Sequence, residues 1–285
     1  MKGPTRAPWV DVVLEGRSPA PVVLVLGGFI TSPPLYRPFA ARLRERGVAD
    51  VVVGNVWTMD WLLAARRGLG PIVTRSGRAL LAASARSDEL AGGAPVLVIG
   101  HSAGGMSARL LTSPVPFAGR TLNASGRIGA IVTMGTPHVV VLRDEARNRI
   151  GAEAADFANR EVPGPHFAPH TGYLAIASRR AVGRPEGTRA ERRMFGFYRD
   201  LVADPGATEI AGDGLIPLEC ALLPGAPSIV FDDADHGMSP QLEWYGSARF
   251  LDRWWPAAIE TWEAALRVRA AAPNAPVVAP EPGAL

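Results

Sequence analysis

Short apolar runs alternate with longer stretches of helical spacing along most of the chain. Val22–Leu26, Asp50–Val53, Val96–Ile99, Ile128–Met134, Tyr173–Ala177 and Ser228–Phe231 are rich in branched residues and bounded by glycine, proline or polar residues, so each predicts a strand. Residues 72–91 and Ala103–Thr112 carry apolar positions three and four apart and predict helices. Ser247–Val268 predicts a terminal helix that Pro256 kinks or splits in two. Several strands are apolar throughout rather than alternating, as expected of strands covered on both faces. Strands in alternation with helices predict an α/β fold, a doubly wound and mostly parallel sheet.

One segment breaks this rhythm. His138–His170 has charged helical content over Val140–Asn159 and then a loop, "EVPGPHFAPH". It interrupts the strand order, which predicts a small cap inserted into a single domain spanning residues 1–270. The remainder, 271–285, reads "AAPNAPVVAPEPGAL" and is expected to be a disordered tail.

Composition narrows the setting. With 285 residues, 47% hydrophobic and 20% charged, the chain can bury a sizeable core. The net charge is +3, Lys2 is the sole lysine and the arginines are scattered along the sequence, so no nucleic-acid partner is expected. Cys220 is the only cysteine, which excludes an intrachain disulfide; it lies in an apolar run and reads as core. No apolar run reaches the ~18 residues of a membrane span, and no signal-peptide pattern is visible, so a cytoplasmic location is expected.

The chemistry centres on "VLVIGHSAGGMSARLL", Val96 to Leu111. Gly100-His101-Ser102-Ala103-Gly104 is G-x-S-x-G between a predicted strand and a predicted helix, the setting of a nucleophile elbow. The turn holds the serine in a strained conformation, so its neighbours must be small. It also leaves the Ala103 N–H at a helix N-terminus, where it can stabilise an oxyanion. The strand ending at Gly27-Gly28 supplies a second candidate donor, the Phe29 N–H.

A serine nucleophile needs a base, and the base needs an orienting acid. His236 follows the last predicted strand in "SIVFDDADHGM" and is the expected base. His101 lies inside the elbow and is expected to point away from the attack face. His138 follows a strand end and is expected near substrate. His166 and His170 sit in the predicted cap, and their loop context argues against a metal site. For the acid, Asp213 lies in "AGDGLIP", where two glycines allow a sharp turn; Asp232, at a strand end, is the alternative. Asp233 and Asp235 read as turn formers bonded to their own backbone. Apolar walls are expected from Phe29, Ile30, Trp57, Trp61, Met106, Phe167 and Met238.

These motifs together resemble the α/β-hydrolase superfamily, and more narrowly the lipase-like esterases akin to the GPI inositol-deacylase group. The matching stretches are "LGGF" (Leu26–Phe29), "GHSAGG" (Gly100–Gly105), "MGTPH" (Met134–His138), "GDGLIPLECALLPGA" (Gly212–Ala226) and "DADHG" (Asp233–Gly237), in the family's order of serine, acid and histidine. The chain departs from many relatives at the oxyanion turn, where Gly27 replaces a histidine. The resemblance implies hydrolysis of a small-molecule or lipid-like carboxylic ester, with no cofactor and no metal. The same triad also serves acyl transfer, amide hydrolysis and perhydrolysis, and the fold also occurs in non-catalytic binding proteins. Against a binding protein stands the presence of Ser102, Asp213 and His236 together.

Overall fold

The computed structural model describes residues 7–141, 152–204, 206–239, 241–273 and 275–277. In chain order the elements are α1 (Pro8–Leu14), β1 (Val22–Leu26), α2 (Arg37–Arg44), β2 (Asp50–Val53), α3 (Thr58–Arg67), α4 (Gly70–Leu90), β3 (Val96–His101) and α5 (Ala103–Thr112). Then follow β4 (Ile128–Met134), α6 (Ala152–Glu161), β5 (Gly172–Ser178), β6 (Ala181–Gly183), α7 (Arg189–Tyr198), β7 (Ile210–Gly212), α8 (Leu218–Ala221), β8 (Ser228–Phe231) and α9 (Ala248–Ala271).

Every residue of β1, β3 and β4 is buried. Such strands need cover on both faces, and helices supply it. Six strands form one sheet in the order β2-β1-β3-β4-β5-β8, and each adjacent pair is parallel. The remaining two strands make a separate antiparallel hairpin, β6 with β7. The order reverses around β1: the chain moves outward to β2 and returns on the other side as β3. A crevice opens beyond the carboxyl ends of β1 and β3 at such a reversal. Register aligns Leu26 with Gly100, so the turn leaving β1 lies beside the turn leaving β3.

α9 is one continuous helix through Pro256. The helix is not split in two there: proline removes one backbone donor, and tertiary packing holds the rest. Trp254 and Trp262 are fully buried, and their indole N–H groups donate to Tyr245 O (2.8 Å) and Pro95 O (2.7 Å). Near its end, Arg269 is buried and, among the described residues, has no carboxylate partner. Its guanidinium donates to the carbonyls of Ser125 (3.0 Å), Gly126 (2.8 Å) and Ile128 (2.6 Å) and to Thr171 Oγ1 (3.1 Å). This clip ties α9 to the start of β4.

β4 and β5 pair directly, with Ala130 opposite Gly172, so residues 138–170 form the crossover between neighbouring strands. Of the helical content expected over Val140–Asn159, residues 142–151 lie outside the described residues. The described part is α6, whose Ala154, Ala155, Phe157 and Ala158 join a second apolar cluster with Trp61, Met106, Leu110, Phe117 and Phe167. Arg109 of α5, also buried, ends α6 by donating to Ala158 O (3.1 Å), Asn159 Oδ1 (3.0 Å) and Val162 O (3.0 Å). Burial lowers its pKa to about 10, so it stays charged at neutral pH. Among the described residues, no helix is long and apolar enough to cross a membrane.

The hydrophobic pattern left α1, α2, α3, α7 and the β6–β7 hairpin unassigned. α2 carried the signal: Phe39, Ala40 and Leu43 are three and four apart and are its buried face.

Candidate active site

Ser102 lies between β3 and α5 with φ 52° and ψ −127°. A non-glycine residue at positive φ is strained and persists only where its surroundings hold it. Here the Ser102 N–H donates to Met134 O (2.8 Å), and Ser102 O accepts from Gly105 N (3.0 Å). The neighbours leave no room for side chains. A Cβ on Gly104 would overlap the Leu26 carbonyl, and one on Gly100 would overlap Gly105 Cα. The spacing G-x-S-x-G is thus the spacing this crossing of strand, turn and helix requires.

Asp213 follows β7 and is 2% exposed. Its carboxylate accepts four hydrogen bonds: Leu215 N (3.0 Å) and Ile216 N (2.7 Å) on Oδ1, and His236 Nδ1 (2.7 Å) and the Tyr245 hydroxyl (2.8 Å) on Oδ2. Burial alone would raise its pKa. The nearby His236 and the hydrogen bonds outweigh that and hold it below the ordinary carboxylate value. An ionised carboxylate can only accept, so His236 Nδ1 carries a proton, and in the neutral imidazole Nε2 is then an acceptor. The main chains are tied as well, with His236 N donating to Asp213 O at 3.0 Å.

Asp232 is turned elsewhere: Arg179 Nε donates to it at 2.5 Å on the surface. The reading of Asp233 and Asp235 as self-bonded turn formers is corrected. Asp233 pairs with Arg249, and Asp235 pairs with Arg180 (3.0 Å) and accepts from Glu243 N (3.2 Å). Arginines distant in sequence win over local backbone groups.

At the turn after β1, the Gly28 carbonyl accepts from Thr31 Oγ1 (2.7 Å) and Thr31 N (3.3 Å). In a trans peptide the N–H points opposite to the C=O, so the Phe29 N–H is directed away from Thr31. A Cβ on Gly28 would lie 2.9 Å from Ser102 Cβ, which measures how closely this turn approaches the serine. Among the described residues, neither the Phe29 nor the Ala103 N–H has a hydrogen-bond acceptor in the protein.

His101 and His138 have structural surroundings. His101 is buried and points into the protein, bonded to Tyr36 and to the His236 carbonyl. His138, expected near substrate, is wholly buried. Its Nε2 lies 2.9 Å from Thr133 Oγ1 and its Nδ1 3.4 Å from Arg109, which leaves no nitrogen for a ligand. Cys220 is buried, donates to Leu201 O and has its thiol pushed up to about 12 by burial.

The expected apolar walls divide into two groups. Phe29, Ile30 and Trp57 are exposed, and the Phe29 ring meets Trp61 edge-on at 5.5 Å. Trp61, Met106 and Phe167 belong to the second apolar cluster, which Ala103 borders. Met238 instead packs against the main core. Sequence reasoning missed Tyr245 and Tyr36. Neither carries a local motif, and each reaches the site only through the fold.

No family model matches the chain, and no curated protein matches it. Among solved structures, the mature form of the Bacillus licheniformis lipase BlEst2 is similar over 84% of this chain and 92% of that one, with 16% identity and a TM-score of 0.51. The propeptide form of the same lipase is similar over 84% of this chain and 50% of that one, again with 16% identity and a TM-score of 0.51. The likeness and the parallel six-stranded sheet together show an α/β-hydrolase fold.

Proposed function

We propose that the protein is a serine hydrolase of carboxylic esters, acting through Ser102, His236 and Asp213. The single observation that carries this reading is the Asp213–His236 bond of 2.7 Å, in a fold that also holds Ser102 strained at a strand-to-helix turn. The bond fixes the imidazole tautomer that can take a proton on Nε2.

Ser102 Oγ attacks the ester carbonyl as His236 Nε2 accepts its proton. Asp213 stabilises the resulting imidazolium without itself becoming protonated. The Phe29 and Ala103 N–H groups hold the oxyanion of the tetrahedral intermediate. His236 then protonates the leaving alcohol, the C–O bond breaks, and an acyl-enzyme remains on Ser102. Water, deprotonated by His236, attacks that acyl group and releases the acid.

The substrate is an apolar, lipid-like ester. In support, Phe29, Ile30, Leu35, Trp57, Met59, Leu62 and Leu63 are exposed large apolar residues on the oxyanion turn, the segment after it and α3. The two segments are joined by the Ser32–Thr58 hydroxyl pair at 2.8 Å. α6 and the loop through Phe167 act as a small cap that shapes the acyl pocket. The narrower likeness to GPI inositol-deacylase-like lipases rests on the sequence motifs alone.

A fluorophosphonate probe and p-nitrophenyl esters of increasing chain length test the reading. Labelling and turnover in the wild type, both lost in Ser102→Ala, are expected. An unlabelled, folded wild type inactive on every ester would overturn it and favour a binding protein.

A further inference from the structure

We infer that Tyr36 and His101 are positioning residues that lock the oxyanion turn to the loop carrying His236, so that donor and base stay in register during the reaction. This rests on the hydrolase reading above and goes beyond it, because neither residue touches the reacting atoms.

Three segments distant in sequence meet here, around residues 28–36, 101 and 236. Gly28 N donates to the Tyr36 hydroxyl at 2.8 Å, the hydroxyl lies 2.8 Å from His101 Nδ1, and His101 Nε2 lies 3.1 Å from the His236 carbonyl. The direction of each bond follows from elementary rules. The His236 carbonyl can only accept, so His101 Nε2 carries a proton. His101 is fully buried, and burial followed by the neighbouring His236 pushes it down to about 3, so the ring is neutral and Nδ1 has a lone pair. Tyr36 is buried and pushed up to about 12, so it keeps its proton and donates it to Nδ1. The phenol oxygen then accepts the Gly28 N–H. The alternative acceptor for Tyr36, Thr31 Oγ1, is further away at 3.4 Å, and its own proton goes to Gly28 O.

The chain of bonds fixes both ends of the site. At one end the Gly28 N–H is held by Tyr36 and its C=O by Thr31, which orients the peptide bearing the Phe29 N–H. At the other end the His236 carbonyl is held by His101 and its N–H by Asp213 O, so the backbone of the base cannot rotate. The site is packed around this arrangement. A Cβ on Gly27 would lie 2.7 Å from the Tyr36 ring, and Trp244 meets the His101 ring at 5.1 Å and the Tyr36 ring at 6.1 Å. Gly27 is therefore the residue that makes room for Tyr36.

Tyr36→Phe removes one hydroxyl and keeps the ring. The expected result is a kcat lower by about 10- to 100-fold, less than or similar to the loss of an oxyanion donor itself, with KM within two-fold. Affinity for a trifluoromethyl ketone, which forms a tetrahedral adduct on Ser102, should fall in the same proportion as kcat. A residue that merely stabilised the fold would lower the melting temperature and leave both quantities unchanged below it. His101→Gln keeps a donor for the His236 carbonyl but offers no acceptor in the place of Nδ1. The double variant should therefore lose little more than Tyr36→Phe alone, since one chain is cut in both. If Tyr36→Phe does not fold, His101→Asn, which can accept from Tyr36 but not reach His236, must show the kcat loss instead. Unchanged kcat in a folded variant beside an active wild type overturns this inference and leaves the hydrolase reading intact, as does a change in KM alone. A wild type that neither labels nor turns over overturns both.

Discussion

Gly135 and Asp213 leave no space between them: a Cβ on Gly135 would lie 2.6 Å from Asp213 Oδ2 and 2.9 Å from His236 Nδ1. Gly135 also has φ +54°, a conformation that costs a side-chain-bearing residue about 1–2 kcal/mol. The carboxyl end of β4 therefore sets how closely Asp213 and His236 can pair. Gly135→Ala should lower kcat by roughly 100-fold or more, the price of a misplaced catalytic group, and lower the melting temperature. Steady-state kinetics and a thermal melt on the same sample check both.

Asp213→Asn should lower kcat by up to about 10⁴-fold, because the amide can donate to Nδ1 and so favour the wrong imidazole tautomer. Asp232→Asn should stay near wild type, since that carboxylate meets Arg179 at the surface. The reverse ranking would transfer the acid role to Asp232. Tyr245→Phe removes one of two bonds on Asp213 Oδ2 and should cost kcat about 10- to 100-fold, in line with the ~1.5–3 kcal/mol of a hydrogen bond to a charged group.

Ser102→Ala and Ser102→Gly should both lack turnover and yet differ in stability. Alanine keeps the strain at φ 52°, whereas glycine releases it. Glycine should melt higher than alanine by a few degrees, corresponding to about 1 kcal/mol. Equal melting temperatures would mean that the elbow stores no strain.

Acid should destabilise the fold before it reaches the carboxylates. Burial pushes His101 down to about 3, and burial together with Arg109 holds His138 well below the usual histidine value. Below about pH 6.5 the unfolded chain takes up protons that these buried rings refuse, so unfolding is favoured as pH falls. The cost is up to about 1.4 kcal/mol per pH unit for each histidine. Asp213, held below its ordinary value, adds a loss only as pH falls through the carboxylate range, about 4 and lower. The melting temperature should be level from pH 8 to 7 and drop steadily from 6.5 to 4.5. A level profile down to 4.5 would contradict two buried neutral rings. His138→Gln should make the slope shallower.

Much of the sheet was legible because its strands are buried on both faces, and a run such as Val22–Leu26 has no polar position to confuse the pattern. The G-x-S-x-G elbow was legible because steric exclusion around Ser102 restricts the residue types. The pairing of Asp213, rather than Asp232, with His236 follows from a turn that its flanking glycines allow. Tyr36, Tyr245 and the burial of His138 were not legible, since each depends on which distant groups the fold brings near. Tyr245 is an ordinary aromatic until Asp213, from another loop, arrives beside its hydroxyl. The aspartates beside His236 misled for the same reason, since local turn bonds are outcompeted by Arg249 and Arg180.

The strand order also governs when the site comes into being. The first four strands of the sheet, β1 to β4, end at Met134, while Asp213 and His236 flank the last strand, β8. A chain emerging from the ribosome amino end first can therefore fold the serine's surroundings well before its partners have been translated. Until then the proposed nucleophile, Ser102, has no base to take its proton. A fragment released by premature termination before residue 236 would carry the elbow without the proposed base. On the proposed mechanism, reactivity arises only after β8 has joined the edge of the sheet and His236, which follows it, is in place.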